Sequence, residues 1–128
     1  MTTATAPTWK ILTLWILRLL MAALFLFAAY AKLSSQPMMV EQFGQLGQYG
    51  LGQWFRYFTG ALEVVGAVAL LMPRISALGA LLLLCVDIGA FIAQVAVFHG
   101  DWIHTVVIGL VLGVLIYLQR DQLSRAPT

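Results

Sequence analysis

A single cysteine, Cys85, is the first thing this chain is short of, and it lies inside an apolar run. One thiol excludes an internal disulfide, a C-x-x-C dithiol and a zinc-finger spacing, so any redox chemistry here must use a borrowed cofactor. Charge is scarce as well: Asp, Glu, Lys and Arg make up 9% of the 128 residues, where a soluble domain carries about 25%. The net charge of +2 is confined to a few Lys and Arg at segment ends, which is the pattern of membrane topology and not of a nucleic-acid surface. Two histidines, His99 and His104, lie five residues apart, too close along one segment end to face each other across a bundle as haem ligands, and no metal site is expected.

What fills the chain instead is apolar: 62% of its residues are hydrophobic. Too little polar surface remains to cover a soluble domain, so lipid is the expected solvent. A spanning helix needs about 20 apolar residues, which leaves room for four. The pattern predicts an all-α fold, an antiparallel four-helix transmembrane bundle with spans at about 9–33, 54–72, 75–98 and 102–118. These belong to one membrane domain over 9–120, after a polar lead at 1–8 and before a short tail at 121–128. Ala29-Tyr30-Ala31 has the look of a signal-peptidase site, but the preceding apolar stretch is too long and contains Arg18, so a retained helix is expected.

Between the first two spans, Pro37 opens a short helix with Met39, Phe43 and Leu46 on one face and Glu41, Gln42, Gln45 and Gln48 elsewhere. Such an element lies on the membrane surface or acts as a lid over the bundle. Four spans place both termini on one side. Lys10, Arg74, Arg120 and Arg125 fall on that side against Lys32 and Arg56 on the other, which puts both termini in the cytoplasm. Thr105, Gly109 and Gly113 form a stripe of small residues on the fourth span, suited to close packing in the bundle or against a second copy.

Arg18, Glu63 and Asp87 carry the chemical interest, because an ionisable group inside a bilayer is costly and marks a function by default. At 1.5 Å per residue they lie about 12, 15 and 20 Å from the cytoplasmic end of their spans, near the middle of a core about 30 Å thick. Each shares a helix face with small or polar residues: Arg18 with Ala22, Phe25, Ala29 and Lys32; Glu63 with Arg56, Gly60 and Ala67; Asp87 with Ser76, Ala80, Ala90 and Gln94. The three faces are expected to point inward and meet as a buried polar cluster that binds a ligand or exchanges protons. One arginine neutralises one carboxylate, so the other is expected to be protonated, or paired with Lys32, Arg56 or a ligand. Lys32, Arg56, Gln94 and His104 are the supporting residues, His104 as a proton relay or helix cap. The competing reading is an internal ion pair that only fixes helix register.

Gly60-Ala61-Leu62-Glu63 with Val65-Gly66-Ala67, then Leu71-Met72-Pro73-Arg74, Leu78-Gly79-Ala80 and Asp87-Ile88-Gly89-Ala90 resemble the DoxX-like family of small four-span membrane proteins. Arg18 and Ala31-Lys32-Leu33 fit the same pattern, and the resemblance covers about residues 11–118. It departs from that pattern in the Gln- and Gly-rich connection from Gly44 to Trp54, so ligand access there need not follow relatives.

The resemblance implies a bacterial cytoplasmic (inner) membrane protein and points toward redox, since relatives include the membrane subunit of a thiosulfate:quinone oxidoreductase and proteins linked to oxidative stress. Three functions are compatible with it. One is a membrane subunit of such a system, with a bound quinone or lipid in place of an intrinsic cofactor. Another is a non-catalytic scaffold for a redox-protein partner or a homo-oligomer. The last is a proton or small-solute transporter.

Overall fold

The computed structural model describes residues 8–121. Most of the predicted lead at 1–8 and tail at 121–128, with Arg125, lies outside the described residues. Among these residues every regular element is helical. The helices are α1 (Thr8–Leu33), α2 (Pro37–Gln45), α3 (Gln53–Leu70), α4 (Ser76–Ala93) and α5 (Ile103–Leu118), with a 3₁₀ turn at Leu46–Tyr49 and a π-helical turn at Gln94–Phe98 that extends α4. The helix ends fall within two residues of the predicted segments.

Local chemistry explains the breaks. Ser34 folds its hydroxyl back onto the Tyr30 carbonyl at 2.6 Å, Ser35 turns left-handed at φ 60°, and Pro37 then starts α2 where its missing N–H has no partner to lose. Gly50, at φ 78°, closes the 3₁₀ turn. His99, at φ 50°, ends the π turn, with the Gly100 N–H on the Gln94 carbonyl at 3.1 Å.

α3 packs on α1 and α4, and α5 packs on α4 and α1, so the four long helices close a ring. α2 lies across α3 and touches α1 and the π turn. The core is Phe25, Ala67, Leu70, Leu83, Leu112 and Leu115, all close to fully buried. Its tightest contact is glycine-made: a Cβ on Gly79 would lie 2.6 Å from the Leu70 nitrogen and 2.8 Å from the Gly66 carbonyl, so the α3 and α4 backbones touch there.

The outside of the ring is apolar, with Phe27 74%, Leu110 67% and Ile16 62% exposed. Two helical stretches, Thr8–Leu33 and Ser76–Phe98, are long and apolar enough to cross a membrane, and Ile103–Leu118 is a shorter apolar helix. Along α2 and the 3₁₀ turn Phe43 and Leu46 are buried and Met39 is half-buried, while Glu41, Gln45 and Gln48 are exposed as predicted and Gln42 is half-buried.

Candidate functional site

Arg18, Glu63 and Asp87 are all buried, yet they do not meet, and the expected single cluster is corrected to separate sites. Among the described residues neither carboxylate lies within ion-pair distance of Arg18. The guanidinium reaches instead to the closed end of the ring, where α4 begins and α5 stops. Its Nε donates to Ser76 Oγ at 3.1 Å and to Gln119 Oε1 at 3.2 Å, and its Nη2 also donates to Gln119 Oε1. Gln119 is held by its own amide on the Leu115 carbonyl at 3.1 Å, and Trp15 lies 4.9 Å from the guanidinium carbon. Counting residues along the helix ignored the length of the side chain, which carries five donors toward the polar atoms of the helix ends.

Glu63 is 3% exposed and takes Lys32, from the end of α1, as its partner. The ammonium lies 3.0 Å from Oε1 and donates its hydrogen bond to Oε2 at 3.3 Å. Both carboxylate oxygens thus face the one ammonium. Arg56, predicted as a possible partner of a carboxylate, is used elsewhere: it donates to the Lys32 carbonyl and, at 2.7 Å, to Gln53 Oε1. A cation there complements the negative C-terminal end of α1.

Asp87 is 6% exposed and faces α5, where a Cβ on Gly109 would lie 2.8 Å from its Oδ2. No ion pair forms on it among the described residues. The small residue at 109 therefore serves the α4–α5 contact, whereas a Cβ on Gly113 would meet nothing within 4 Å. His104 is half-exposed near the start of α5, its Nδ1 3.7 Å from Asp101 Oδ2. Asp101 in turn caps that helix start, accepting the Ile103 N–H at 2.9 Å.

Above this level the ring opens. A cavity of about 850 Å³ lies between α3 and α4 under α2, a size suited to a small ligand. Phe43, Phe55, Phe58, Leu62, Val86 and Ile92 form its apolar wall. Lys32, Glu63, Thr59, Gln42, Gln94 and His104 supply its polar groups. Cys85, Gly89 and Ala93, one turn apart on α4, make a floor of small side chains, and a Cβ on Gly89 would meet nothing within 4 Å. A second, polar hollow of about 420 Å³ at Glu41, Gln45 and Asp101 shares Gln42, Gln94, Phe98 and His104 with the first. Gln94 and His104, both predicted as supporting residues, thus stand at the neck between a polar mouth and an apolar chamber.

Thr59 and the aromatic wall were missed by the sequence reading, as was Gln119, one residue beyond the predicted fourth span. The Phe43, Phe55, Phe58 series carried a signal, three rings within one aromatic-rich stretch beside a predicted lid. Among the described residues no group of three His, Cys, Asp or Glu side chains is placed to hold a metal ion.

The DoxX-like family profile matches residues 16–118, most of the chain, and the chain belongs to that family. It is accordingly a membrane protein, with lipid as the environment of its apolar helices. No curated protein and no solved structure matches it.

Proposed function

We propose that the chain crosses the bilayer four times as an antiparallel bundle, both termini in the cytoplasm of a bacterial cell, and binds a small amphiphile between α3 and α4. Its place is as the membrane subunit of a quinone-linked or oxidative-stress redox system, a step that rests on the family resemblance. Apolar exposure around the ring supports the spanning arrangement. α3 and α5 have 18 and 16 residues and reach about 27 and 24 Å, close to a hydrocarbon core about 30 Å thick.

The observation that carries the binding reading is the 850 Å³ cavity with an ion pair, Lys32–Glu63, in its wall. A packed structural ion pair would leave no room beside it. Aromatic rings suit the ring and tail of a quinone-like molecule, and the pair offers its head one polar contact.

Saturable binding of tritiated decyl-benzoquinone to the protein in lipid nanodiscs tests this. The parent should bind, and Gly89→Phe, which fills the chamber from a position with open space, should fold normally and lose binding. No saturable uptake by the parent, or unchanged uptake by Gly89→Phe, would overturn the reading.

A further inference from the structure

We infer that the cavity is open sideways to the hydrocarbon, and that its ligand is a long-chain amphiphile that enters from the bilayer between α3 and α4 and leaves its chain trailing through that gap. The inference rests on the amphiphile-binding reading and adds the route and the class of chain that the site accepts. One stripe of α4 carries it. Gly79, Leu83, Val86 and Ala90 follow at spacings of four, three and four, so they share a face of the helix. Gly79 meets the α3 backbone, and Leu83 packs beside Gly66, where an added Cβ would lie 2.6 Å from it. Val86 is half-buried, Ala90 is exposed, and both line the cavity. The face that holds α3 at the closed end has let go of it at the other, so the two helices diverge.

The gap between them faces outward. Phe58 of α3 and Ile92 of α4 are 50% and 57% exposed on the apolar outside of the ring, and both also belong to the cavity wall. Cys85 and Gly89, on the turns before Ile92, are exposed as well. Residues shared by the two surfaces mark an edge where the chamber meets the lipid.

The polar hollow is the costlier route for a chain. Glu41, Gln45 and Asp101 are exposed there, and Gln42, Gln94 and His104 stand at the neck. An apolar chain drawn past them would strip water from carboxylates and amides and return no hydrogen bond. Through the gap, one hydrocarbon surface replaces another and no polar group is dehydrated. The chain therefore takes the gap, and the head is left to meet the Lys32–Glu63 pair and the neck. Volume then names the chain. A cavity of about 850 Å³ suits a drug-sized molecule and is too small for a whole polyprenyl chain. Closed to lipid, it would admit short tails only; open to lipid, it accepts long ones, because what does not fit stays in the bilayer.

Two benzoquinones that differ only in the chain, decyl and decaprenyl, test this on the unaltered protein in lipid nanodiscs. With binding expressed per mole fraction in the lipid, so that partitioning cancels, the two should agree within about threefold. A larger deficit of the decaprenyl compound overturns the inference and leaves the amphiphile reading standing. A phosphatidylcholine with a diazirine in its acyl chain gives a second readout. Photolysis should attach it to Cys85, Gly89 and Ile92 at the gap and to Leu110, which is 67% exposed on α5. Excess decyl-benzoquinone should lower labelling at the gap at least about fivefold and leave that of Leu110 unchanged. A gap that stays unlabelled while Leu110 is labelled, or gap labelling that bound decyl-benzoquinone does not lower, overturns the lateral opening. If neither benzoquinone binds, the inference falls together with the reading it rests on.

Discussion

The two ends of the bundle hold similar charges in opposite ways. At the closed end Arg18 is buried against Ser76 and Gln119, in a bundle whose core leucines, Leu70, Leu83, Leu112 and Leu115, have no exposed surface. At the open end Glu63 is as deeply buried, but its partner Lys32 is 14% exposed and a cavity adjoins the pair. A charge whose hydrogen bonds are met by fixed neighbours rigidifies a bundle. One that borders empty space through a partly exposed partner is placed to receive something. Burial alone does not separate the two roles; the space beside the charge does.

Glycine substitution on α4 gives the largest expected break in this contrast. Gly79→Ala places a methyl 2.6 Å from backbone at the closed end and should cost about 3 kcal/mol as α3 and α4 are forced apart. Gly89→Ala, ten residues on at the open end, meets nothing within 4 Å and should be neutral or stabilising by up to about 1 kcal/mol through helix propensity. SDS-titrated unfolding followed by circular dichroism checks both signs. Equal losses would mean that the open end is packed as tightly as the closed one.

Next in size is Gln119→Leu, which removes the carbonyl oxygen on which two Arg18 donors converge. A buried guanidinium without its acceptor should cost about 2 kcal/mol, while Gln119→Glu, which supplies an ion pair, should recover most of it. Quinone-analogue binding should change in neither. If Gln119→Leu abolished binding at full stability, the closed end would belong to the site and the contrast would fail.

Lys32→Met asks the corresponding question of the open end. Its expected cost is smaller, about 1 kcal/mol, because Lys32 is partly exposed and its charge is already screened. Binding of decyl-benzoquinone should weaken with it, since Glu63 loses the neighbour that orients it. A loss of stability as large as that of Gln119→Leu, with binding intact, would make the Lys32–Glu63 pair a structural one.

Which helix faces are buried was largely legible in the sequence; where the cavity opens and where long side chains reach was not. Helical periodicity picked out Arg56, Gly60, Glu63 and Ala67, and all four are buried. On α4 the same rule named Ser76, Ala80, Asp87, Ala90 and Gln94, yet Ala90 is exposed and Gln94 half-buried. The stripe is continuous along the helix, but the neighbour it faces is missing over the second half, and a void is a property of several helices that one helix cannot encode. Arg18 failed differently. Its helix and face were readable, whereas the direction of a long flexible side chain depends on which polar atoms the other helix ends bring within reach.

The smallest expected effect on stability comes from chemistry on a thiol, and it maps the boundary between the two ends on a single helix. Cys85 is exposed on the cavity floor, whereas Leu83, two residues earlier and on the opposite face of α4, has no exposed surface. Methylmercury chloride is small, neutral and lipid-soluble, so it can reach a thiol in an apolar chamber without a path through water. Cys85 in the parent should react at least about tenfold faster than the thiol of the double variant Leu83→Cys, Cys85→Ser, whose access requires local opening of the core. Gly89→Phe, one turn from Cys85, should slow the parent reaction toward the rate of the buried site. Equal rates at the two positions would show that the floor of the cavity is as closed as the core, and the distinction between the ends would then rest on hydrogen bonding alone.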